Sequence, residues 1–395
     1  FAAINRLVLD GKPADVLTVT EAVAHHGITL QVVNHFSQSA ASPRHARAYA
    51  ETVAEKHLSR RLLTVADDVK GVAFDFNQPV NERIGVAQGL LEGLQNKAVK
   101  GHPKEIQDYI AGALTRMEDL ADGKTEPGIK THLPFVDRAL GGGLKPGKLI
   151  ILAARPSVGK SSLAEQICIN IAKDGHPAAM FSMEMTGQEM TDRAICNIGR
   201  IDMERYSLGK INQDEWSYLT DAVEDMRNLK IYFDEQPALM IHEIAAKARL
   251  LVRKRGIKLL VIDYLQLCNS TNPKLSIHHQ LEELSRGLKS LAKQLGITIL
   301  ALSQLNREIE KRAGGRPQLS DLKESGAIEE DADAVMLMWT HEVNESYQIN
   351  GLDMAKVRGG KKGICALHFE GQYQRWGEST VSLSSQNKQK FKGEL

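Results

Sequence analysis

The 395-residue chain is long enough for two or three domains, each with its own hydrophobic core. Its 42% hydrophobic and 25% charged residues are typical of globular proteins, and no apolar run reaches the roughly 18 residues that a transmembrane helix needs. Because 50 basic and 49 acidic residues give a formal net charge of +1, any nucleic-acid binding must depend on local patches of charge. These values exclude membrane-spanning and collagen-like proteins.

The cysteines are spaced too widely to form a zinc ribbon or a secreted disulfide framework. They are Cys168, Cys196, Cys268 and Cys365, without a Cys-x-x-Cys pair. We therefore expect a reducing, cytoplasmic location. No signal sequence opens the chain at Phe1, and we expect that residues upstream of it belong to the natural protein.

Residues 1–95 carry apolar side chains at helical spacing, which predicts an all-α N-terminal domain. A polar stretch follows, and then a second apolar stripe predicts an amphipathic helix within a linker over residues 96–130. The stripe consists of Ile106, Ile110, Leu114, Met117 and Leu120. Such a helix either packs on its own domain or docks onto a neighbouring subunit, and the sequence leaves both possibilities open.

Residues 131–395 alternate short apolar runs with helical patterns. The runs cover residues 149–154, 178–183, 230–233, 259–264, 297–302, 334–339 and 364–369. This alternation predicts an α/β domain with a largely parallel sheet and flanking helices. Ligands of such sheets bind at the carboxyl ends of the strands.

A candidate phosphate-binding loop follows the first apolar run and precedes a helical pattern. It comprises Arg155, Pro156, Ser157, Val158, Gly159, Lys160, Ser161 and Ser162. Backbone N–H groups at a helix start bind phosphates, Lys160 can neutralise the β and γ oxygens, and the Ser161 hydroxyl can hold Mg²⁺. A strict Walker A motif begins with Gly where this chain has Ala154, so the strand, loop and helix context carries the prediction of ATP and Mg²⁺ as ligands.

Three polar residues follow other predicted strands. Asp263 ends an apolar run and is a candidate Mg²⁺ ligand through water, although Asp at a strand end also serves as a cap or turn residue. Glu184 is a candidate base for the attacking water, or the start of the next helix. Gln304 is a candidate sensor of the γ-phosphate, or an ordinary surface residue.

These motifs together resemble the hexameric replicative DNA helicases of bacteria and their phages, the DnaB type, whose motor is a RecA-like ATPase. The resemblance includes residues 142–147, 181–185, 261–267, 303–307, 321–333 and 355–358, and it extends back to residues 11–19 and 43–61. It therefore spans nearly the whole chain and implies that only the first helices of the N-terminal domain are absent.

The resemblance also implies roles for individual residues. Glu184 is then the catalytic carboxylate and Gln304 the γ-phosphate sensor. Lys356 and Arg358, which strand spacing places on one face, are then the cations that reach a neighbouring subunit's ATP. The implied assembly is a homohexamer that moves 5′ to 3′ along single-stranded DNA and meets a primase and a helicase loader.

The turn that includes Lys323, Glu324 and Gly326 corresponds by resemblance to one that holds single-strand phosphates. Lys323 stands where the family usually has Arg, which keeps the charge but loses the planar fork. The segments 268–279 and 306–326 contain no Phe, Tyr or Trp, which favours phosphate contacts over base stacking. Sequence-neutral binding is therefore expected.

Two other functions compete with the helicase. A RecA-like recombination or repair ATPase shares the phosphate loop and Asp263, whereas a non-enzymatic scaffold would need only ATP binding. The helical N-terminal domain and the segments 303–307 and 324–329 favour the helicase. Among the remaining residues, we expect the three tryptophans, Trp216, Trp339 and Trp376, to pack in the interior.

Overall fold

The computed structural model describes most of the chain. The described residues are 3–4, 7, 13–39, 46–76, 80, 83, 85–87, 89–91, 105–268, 276–311, 315–322, 326–344 and 347–383. The chain divides into two compact units, Phe1–Asp108 and Tyr109–Leu395. This division falls within a helix, so the predicted domain boundaries at residues 95 and 130 stay a prediction.

The first unit contains α1 (Val16–Val23), α2 (Leu30–Ser39) and α3 (Ala46–Ala73). Asp15 is the N-cap of helix α1, and its carboxylate accepts hydrogen bonds from the N–H groups of Leu17 and Thr18. The described residues of this unit include no strand, as expected for an all-α domain.

Helix α4 (Gln107–Ala121) lies where the second apolar stripe predicts it. Ile106, Ile110, Leu114 and Met117 are 77%, 50%, 60% and 62% exposed in the single chain. Leu120, the last residue of the stripe, is half-buried. Packing on its own domain and docking onto a neighbouring subunit both stay predictions.

The second unit is built on a nine-stranded sheet. Its strands are β1 (Leu149–Ala154), β2 (Ala178–Ser182), β3 (Ile231–Asp234), β4 (Leu259–Asp263), β5 (Thr298–Gln304), β6 (Ala334–Val343), β7 (Gln348–Val357), β8 (Gly363–Glu370) and β9 (Arg375–Ser379). The spatial order is β3-β2-β4-β5-β1-β6-β7-β8-β9. Pairing is parallel from β3 to β6 and antiparallel from β6 to β9. The predicted α/β fold, with a largely parallel RecA-like sheet, is confirmed.

Helices cover both faces of this sheet. They are α5 (Pro134–Ala139), α6 (Lys160–Lys173), α7 (Gly187–Gly199), α8 (Met203–Ser207), α9 (Gln213–Arg227), α10 (Ile241–Arg255), α11 (Ile277–Leu295) and α12 (Gly326–Asp331). On one face Ile150 packs in a core with Leu163 of α6, and on the other Ile151 packs with Leu288 of α11. Burial on both faces explains why β1 is a continuous apolar run.

Asp333, just before β6, links three elements at the amino-terminal end of the parallel strands. Its buried carboxylate accepts hydrogen bonds from the Leu149 N–H at 2.9 Å, from Lys148 Nζ at 3.1 Å and from Lys289 Nζ at 2.5 Å. Burial acts to raise the pKa of Asp333, but the bonds from Lys289, Leu149 and Lys148 outweigh it and hold the pKa below its usual value.

The tryptophan prediction is only partly right. Trp339 and Trp376 are buried, but Trp216 is 55% exposed on α9. The inward face of α9 is formed by Glu215, Leu219 and neighbouring apolar residues, and Trp216 lies about 100° around the helix from Glu215.

Within the described ranges, no helix is both long and apolar enough to span a membrane, and no three His, Cys, Asp or Glu side chains cluster in a metal-binding arrangement.

Candidate active site

The carboxyl ends of four parallel strands meet at one edge of the sheet. Ser182, the last residue of β2, pairs with Asp263, the last residue of β4. Ala154, the last residue of β1, pairs with Gln304, the last residue of β5. This register brings the loop after β1 to the same edge as the polar residues that end the other strands.

The phosphate-loop segment joins β1 to α6 and leaves the N-terminus of that helix uncapped by a side chain, because its N-cap is Gly159. Gly159 has φ 99° and Ser157 has φ 63°, both in the left-handed region. The Asn350 side chain donates a hydrogen bond to the Val158 carbonyl at 2.9 Å, and Arg155 donates to the carbonyl of Leu305 at 2.9 Å. These two hydrogen bonds hold the loop in place, and the N–H groups at the start of α6 are available to an anion.

A cavity of about 410 Å³ opens in front of this loop. Its lining consists of Ala154, Arg155, Pro156, Ser157, Gly159, Lys160, Ser161, Ser162, Glu184, Met185, Arg193, Tyr264, Gln304, Phe369 and Gln374. The fold thus brings together Lys160, Glu184 and Gln304, which lie up to 144 residues apart in the sequence. Val158 is the one predicted loop residue that does not line the cavity, because its side chain is buried in the core.

Lys160, which lines the cavity, forms an ion pair with Asp263, which is not among the lining residues; Lys160 Nζ lies 3.5 Å from Asp263 Oδ1. Asp263 is fully buried, and neither of its carboxylate oxygens has a hydrogen-bond partner in the described part of the chain. Lys160 Nζ also lies 4.5 Å from the ring centroid of Tyr264. A buried carboxylate with two unsatisfied oxygens is unfavourable unless a cation compensates it, so Asp263 and the nearby Ser161 suit a hard divalent ion.

Glu184 lies two residues beyond β2 and faces the cavity. It is not the residue that starts the next helix. That helix begins at Gly187 with Thr186 as its N-cap, and Glu189 completes the capping box: its carboxylate accepts from the Thr186 N–H at 2.8 Å, and its own N–H donates to the Thr186 hydroxyl. Burial raises the pKa of Tyr264, and the negative charges of Glu184 and Asp263 raise it further, as expected where these carboxylates share one site.

Two charged residues that sequence reasoning missed lie at or behind the cavity. Arg193 of α7 lines it, and Glu165 of α6 is buried with Oε1 unpaired among the described residues. Burial raises the pKa of Glu165 to about 8, with the positive charge of Arg193 opposing the rise and the negative charge of Asp263 adding to it. Neither residue belongs to a sequence motif, so no local sequence pattern could have identified it as part of the site.

Comparisons with known proteins point to one family over most of the chain. The model of the DnaB-like helicase C terminal domain matches residues 128–378. Replicative DNA helicase DnaB of Geobacillus stearothermophilus is 34% identical over 388 residues, which is 95% of this chain and 85% of that protein. Replicative DNA helicase DnaC of Bacillus subtilis (strain 168) is 32% identical over 379 residues, covering 93% and 83%. The chain belongs to the DnaB family of replicative DNA helicases.

Two solved structures resemble the fold. One, an isolated ATPase domain, has a TM-score of 0.65 and 30% identity and covers 70% of this chain and 99% of its own. The other is a DnaB-like replicative helicase, in a study of its interactions with primase, with a TM-score of 0.74, 26% identity and coverage of 94% and 89%. The helicase prediction is confirmed, and the recombination or repair alternative has no support.

In this DnaB-family chain, Lys356 and Arg358 bind the end of helix α12 of their own subunit. Lys356 Nζ donates to the carbonyl oxygens of Glu329 and Glu330, and the Arg358 guanidinium donates to that of Glu330. Strand β7 ends at Val357, so Lys356 lies in the strand but Arg358 is the first residue after it. The Arg358 N–H still donates a hydrogen bond to the Asp333 carbonyl. Burial, followed by the charge of Arg358, lowers the pKa of Lys356.

Of the predicted DNA-binding residues, Lys323 and Glu324 lie outside the described residues, whereas Gly326 is the first residue of α12. Leu322 bridges to Leu305, which directly follows β5. The residue that precedes the predicted DNA-binding turn is thus anchored next to Gln304, at the carboxyl edge of the sheet.

Proposed function

We propose that this chain hydrolyses ATP and uses the free energy to move along single-stranded DNA and separate the strands at a replication fork. The observation that carries the proposal is the meeting of Lys160, Glu184 and Gln304 around one cavity beside an uncapped helix N-terminus. Membership of the DnaB family supports unwinding, and this site supports ATP as the source of energy.

In the proposed complex, the backbone N–H groups at the start of α6 bind the phosphates and Lys160 neutralises the β and γ oxygens. Lys160 is well placed for this because its ammonium group is already held by Asp263 and Tyr264. A pre-positioned cation loses little side-chain entropy when the nucleotide arrives.

Ser161 and Asp263 would hold Mg²⁺. The two unsatisfied oxygens of Asp263 support this assignment because, among the described residues, Lys160 alone compensates their charge. When bound, Mg²⁺ neutralises charge on the phosphate oxygens.

Glu184 would orient the attacking water and accept its proton, since it is the carboxylate of the cavity that is not committed to Lys160 or to a helix cap. Gln304 would contact the γ-phosphate with its amide. Because Gln304 ends β5 and Leu305 bridges to Leu322, a change at the nucleotide could reach the segment that precedes Lys323.

We further propose a homohexamer in which Lys356 and Arg358 act on the ATP of a neighbouring subunit and Lys323, Glu324 and Gly326 bind the DNA phosphates. The primase studied with the related helicase supports a primase as a partner, and a helicase loader follows from the resemblance. Because bacterial and phage replication forks are cytoplasmic, this is the proposed location.

Strand displacement on a forked DNA substrate tests the proposal, with Glu184→Gln as the central variant. The amide keeps the size of the side chain but cannot take a proton, so ATP binding should persist while hydrolysis and strand displacement fall by at least about 100-fold. Glu189→Gln is the matched control, because this carboxylate caps α7 without lining the cavity.

Two results would count against the proposal. ATP turnover without strand displacement in the wild type would leave an ATPase that is not a helicase. Equal losses in Glu184→Gln and Glu189→Gln would mean that the Glu184 effect arises from damage to the start of α7.

A further inference from the structure

The last strand of the sheet places a tryptophan against the back of the phosphate loop. Trp376 of β9 is 5% exposed, and a Cβ atom built on Gly159 would lie only 2.5 Å from its Cζ2 atom. Its indole N–H donates a hydrogen bond to the Ser162 hydroxyl at 3.1 Å. The indole therefore touches α6 at its N-cap and again within its first turn.

A second aromatic ring packs on the indole. The ring of Phe369 stacks on Trp376 with centroids 4.3 Å apart and planes inclined by 22°. Phe369 itself lines the nucleotide cavity. Trp376 thus packs against both Gly159 of the phosphate loop and Phe369 of the cavity wall.

A buried polar network fixes the backbone of the same residue. The Gln166 side-chain oxygen accepts from the Trp376 N–H at 3.3 Å and from the Asn197 amide at 2.7 Å. Asn197 also donates to the Gln374 carbonyl at 2.7 Å. The network joins β9 to α6 and to α7, and buried networks whose members are satisfied are rigid.

The phosphate loop needs such support because its conformation is not an intrinsically favoured one. Ser157 adopts φ 63°, which costs a non-glycine residue free energy, and Gly159 adopts φ 99°. Asn350 holds the loop at the Val158 carbonyl, and Trp376 holds it at the start of the helix. A loop ordered before the ligand arrives does not have to be ordered by the ligand.

We propose that Trp376 is a positioning residue for the nucleotide: it keeps Gly159 and Ser162 in the phosphate-binding conformation and so raises the affinity for MgADP and MgATP. This inference rests on the proposed function of the cavity as a nucleotide site. Because Trp376 does not reach the cavity, it should set nucleotide affinity and leave the rate of the chemical step unchanged.

Trp376→Phe is the test variant, because Phe retains a ring to stack on Phe369 but loses the indole N–H and the part of the ring that covers Gly159. We expect the Kd for MgADP and the KM for ATP to rise about tenfold, with kcat within about twofold of the wild type. Trp339→Phe is the matched control: Trp339 is similarly buried, at 7% exposed, in β6 of the same sheet but does not line the cavity.

A double-mutant cycle with Ser162→Ala identifies the hydrogen bond. If the indole N–H and the Ser162 hydroxyl act together, Ser162→Ala should raise the Kd of the wild type but have little further effect in Trp376→Phe. Effects that multiply in the double variant would show that the two residues act independently, and the positioning role would be withdrawn.

Other outcomes separate this inference from the proposed function. An unchanged Kd in Trp376→Phe, or an equal rise in Trp339→Phe, overturns the positioning role alone. A loss of kcat without a change in Kd would also overturn it. MgADP binding that does not depend on Lys160, tested with Lys160→Ala, would instead remove the nucleotide site and the proposed function with it.

Discussion

At the scale of single residues, the site contains carboxyl groups that are buried before any ligand arrives. Asp263 has Lys160 as its one ion-pair partner in the described part of the chain, and Glu165 lies behind the same loop with an oxygen that is unpaired among those residues. Such groups are unfavourable for folding. The two oxygens of Asp263 without hydrogen-bond partners among the described residues agree with the proposed binding of a cation next to this cavity.

Lys160→Ala should abolish ATP turnover, because it removes the ammonium group that would neutralise the β and γ oxygens. We expect less than about a hundredth of wild-type steady-state hydrolysis, with or without single-stranded DNA. Lys173→Ala, an exposed lysine in the last turn of the same helix, is the control and should hydrolyse ATP normally. Retention of more than about a tenth of the turnover in Lys160→Ala would show that this loop is not the catalytic phosphate site.

Glu165 should make stability fall with rising pH. Its pKa rises from 4.5 to about 8 in the folded chain, mainly through burial, so between these values the folded state holds a proton that the unfolded state has released. Unfolding then releases a proton, and the folded state loses stability as pH increases through this window. The total loss of stability is complete once the pH exceeds the pKa of Glu165 in the folded chain.

Glu165→Gln removes this titration. Between pH 6 and pH 8, urea denaturation without Mg²⁺ should show the wild type losing about 2 kcal/mol more stability than the variant. Glu189→Gln is the control, because hydrogen bonds from Thr186 lower the pKa of Glu189 and keep it ionised across this range. Parallel pH profiles for wild type and Glu165→Gln would mean that Glu165 is already ionised at pH 6.

At the scale of elements, hydrogen bonds from a few charged side chains join the ends of strands and helices. Asp333 joins the starts of β1 and β6 to α11 through three hydrogen bonds. At the other side of the same junction, Lys356 and Arg358 bind the carbonyl oxygens that end α12. Cations at a helix C-terminus are stabilising, so α12, which follows the proposed DNA-binding turn, is held by the same residues proposed to sense a neighbour's nucleotide.

Asp333→Asn should destabilise the second unit by about 3 kcal/mol, because Lys289 and Lys148 lose a buried anionic partner while the amide oxygen can still accept from Leu149. Urea denaturation followed by circular dichroism measures the change. Asp353→Asn is the matched control in β7, where the partner Arg316 is more than half exposed, and it should cost less than about 1 kcal/mol. Similar costs for the two variants would mean that Asp333 contributes only a surface-type ion pair.

At the scale of the whole molecule, two observations bear on the proposed homohexamer. Ile110, Leu114 and Met117 of α4 are exposed in the single chain, and neither Lys356 nor Arg358 lines the cavity. The second observation is the one expected if these cations act on a neighbouring subunit's ATP, as proposed.

Arg358→Ala should reduce ATP turnover on the order of 1,000-fold if this cation acts on a neighbouring subunit's ATP, by analogy with other arginine fingers. Mixing provides the test. Arg358→Ala subunits retain Lys160, and Lys160→Ala subunits retain Arg358, so mixed rings contain interfaces with both groups intact and should regain part of the activity. Size-exclusion chromatography checks that both variants still assemble.

Unmixed rings of each variant are the controls for this experiment. Equal activity in mixed and unmixed rings would show that Arg358 acts only within its own subunit, as its bond to the Glu330 carbonyl allows. Lys361→Ala is a matched control, since this exposed lysine lies three residues beyond Arg358 and should leave turnover unchanged.

Part of the site can be predicted from the sequence because four of the predicted residues lie at or just after the end of an apolar run. Lys160, Glu184, Asp263 and Gln304 follow four different strands, and parallel strands place their carboxyl ends on one edge. The pairing of Ser182 with Asp263 confirms that reasoning. Strand β7 is harder to predict, because it carries polar residues among its apolar ones.

Local patterns and their order along the chain are enough to predict the α/β motor, the phosphate loop and the family. What lies behind the loop depends instead on tertiary packing. Trp376 reaches Gly159 because three antiparallel strands extend the sheet beyond β6 and return the chain to α6. Likewise, Arg193 and Glu165 become part of the site through packing between helices. Contacts between residues more than 200 positions apart depend on strand order and direction, which no local pattern encodes.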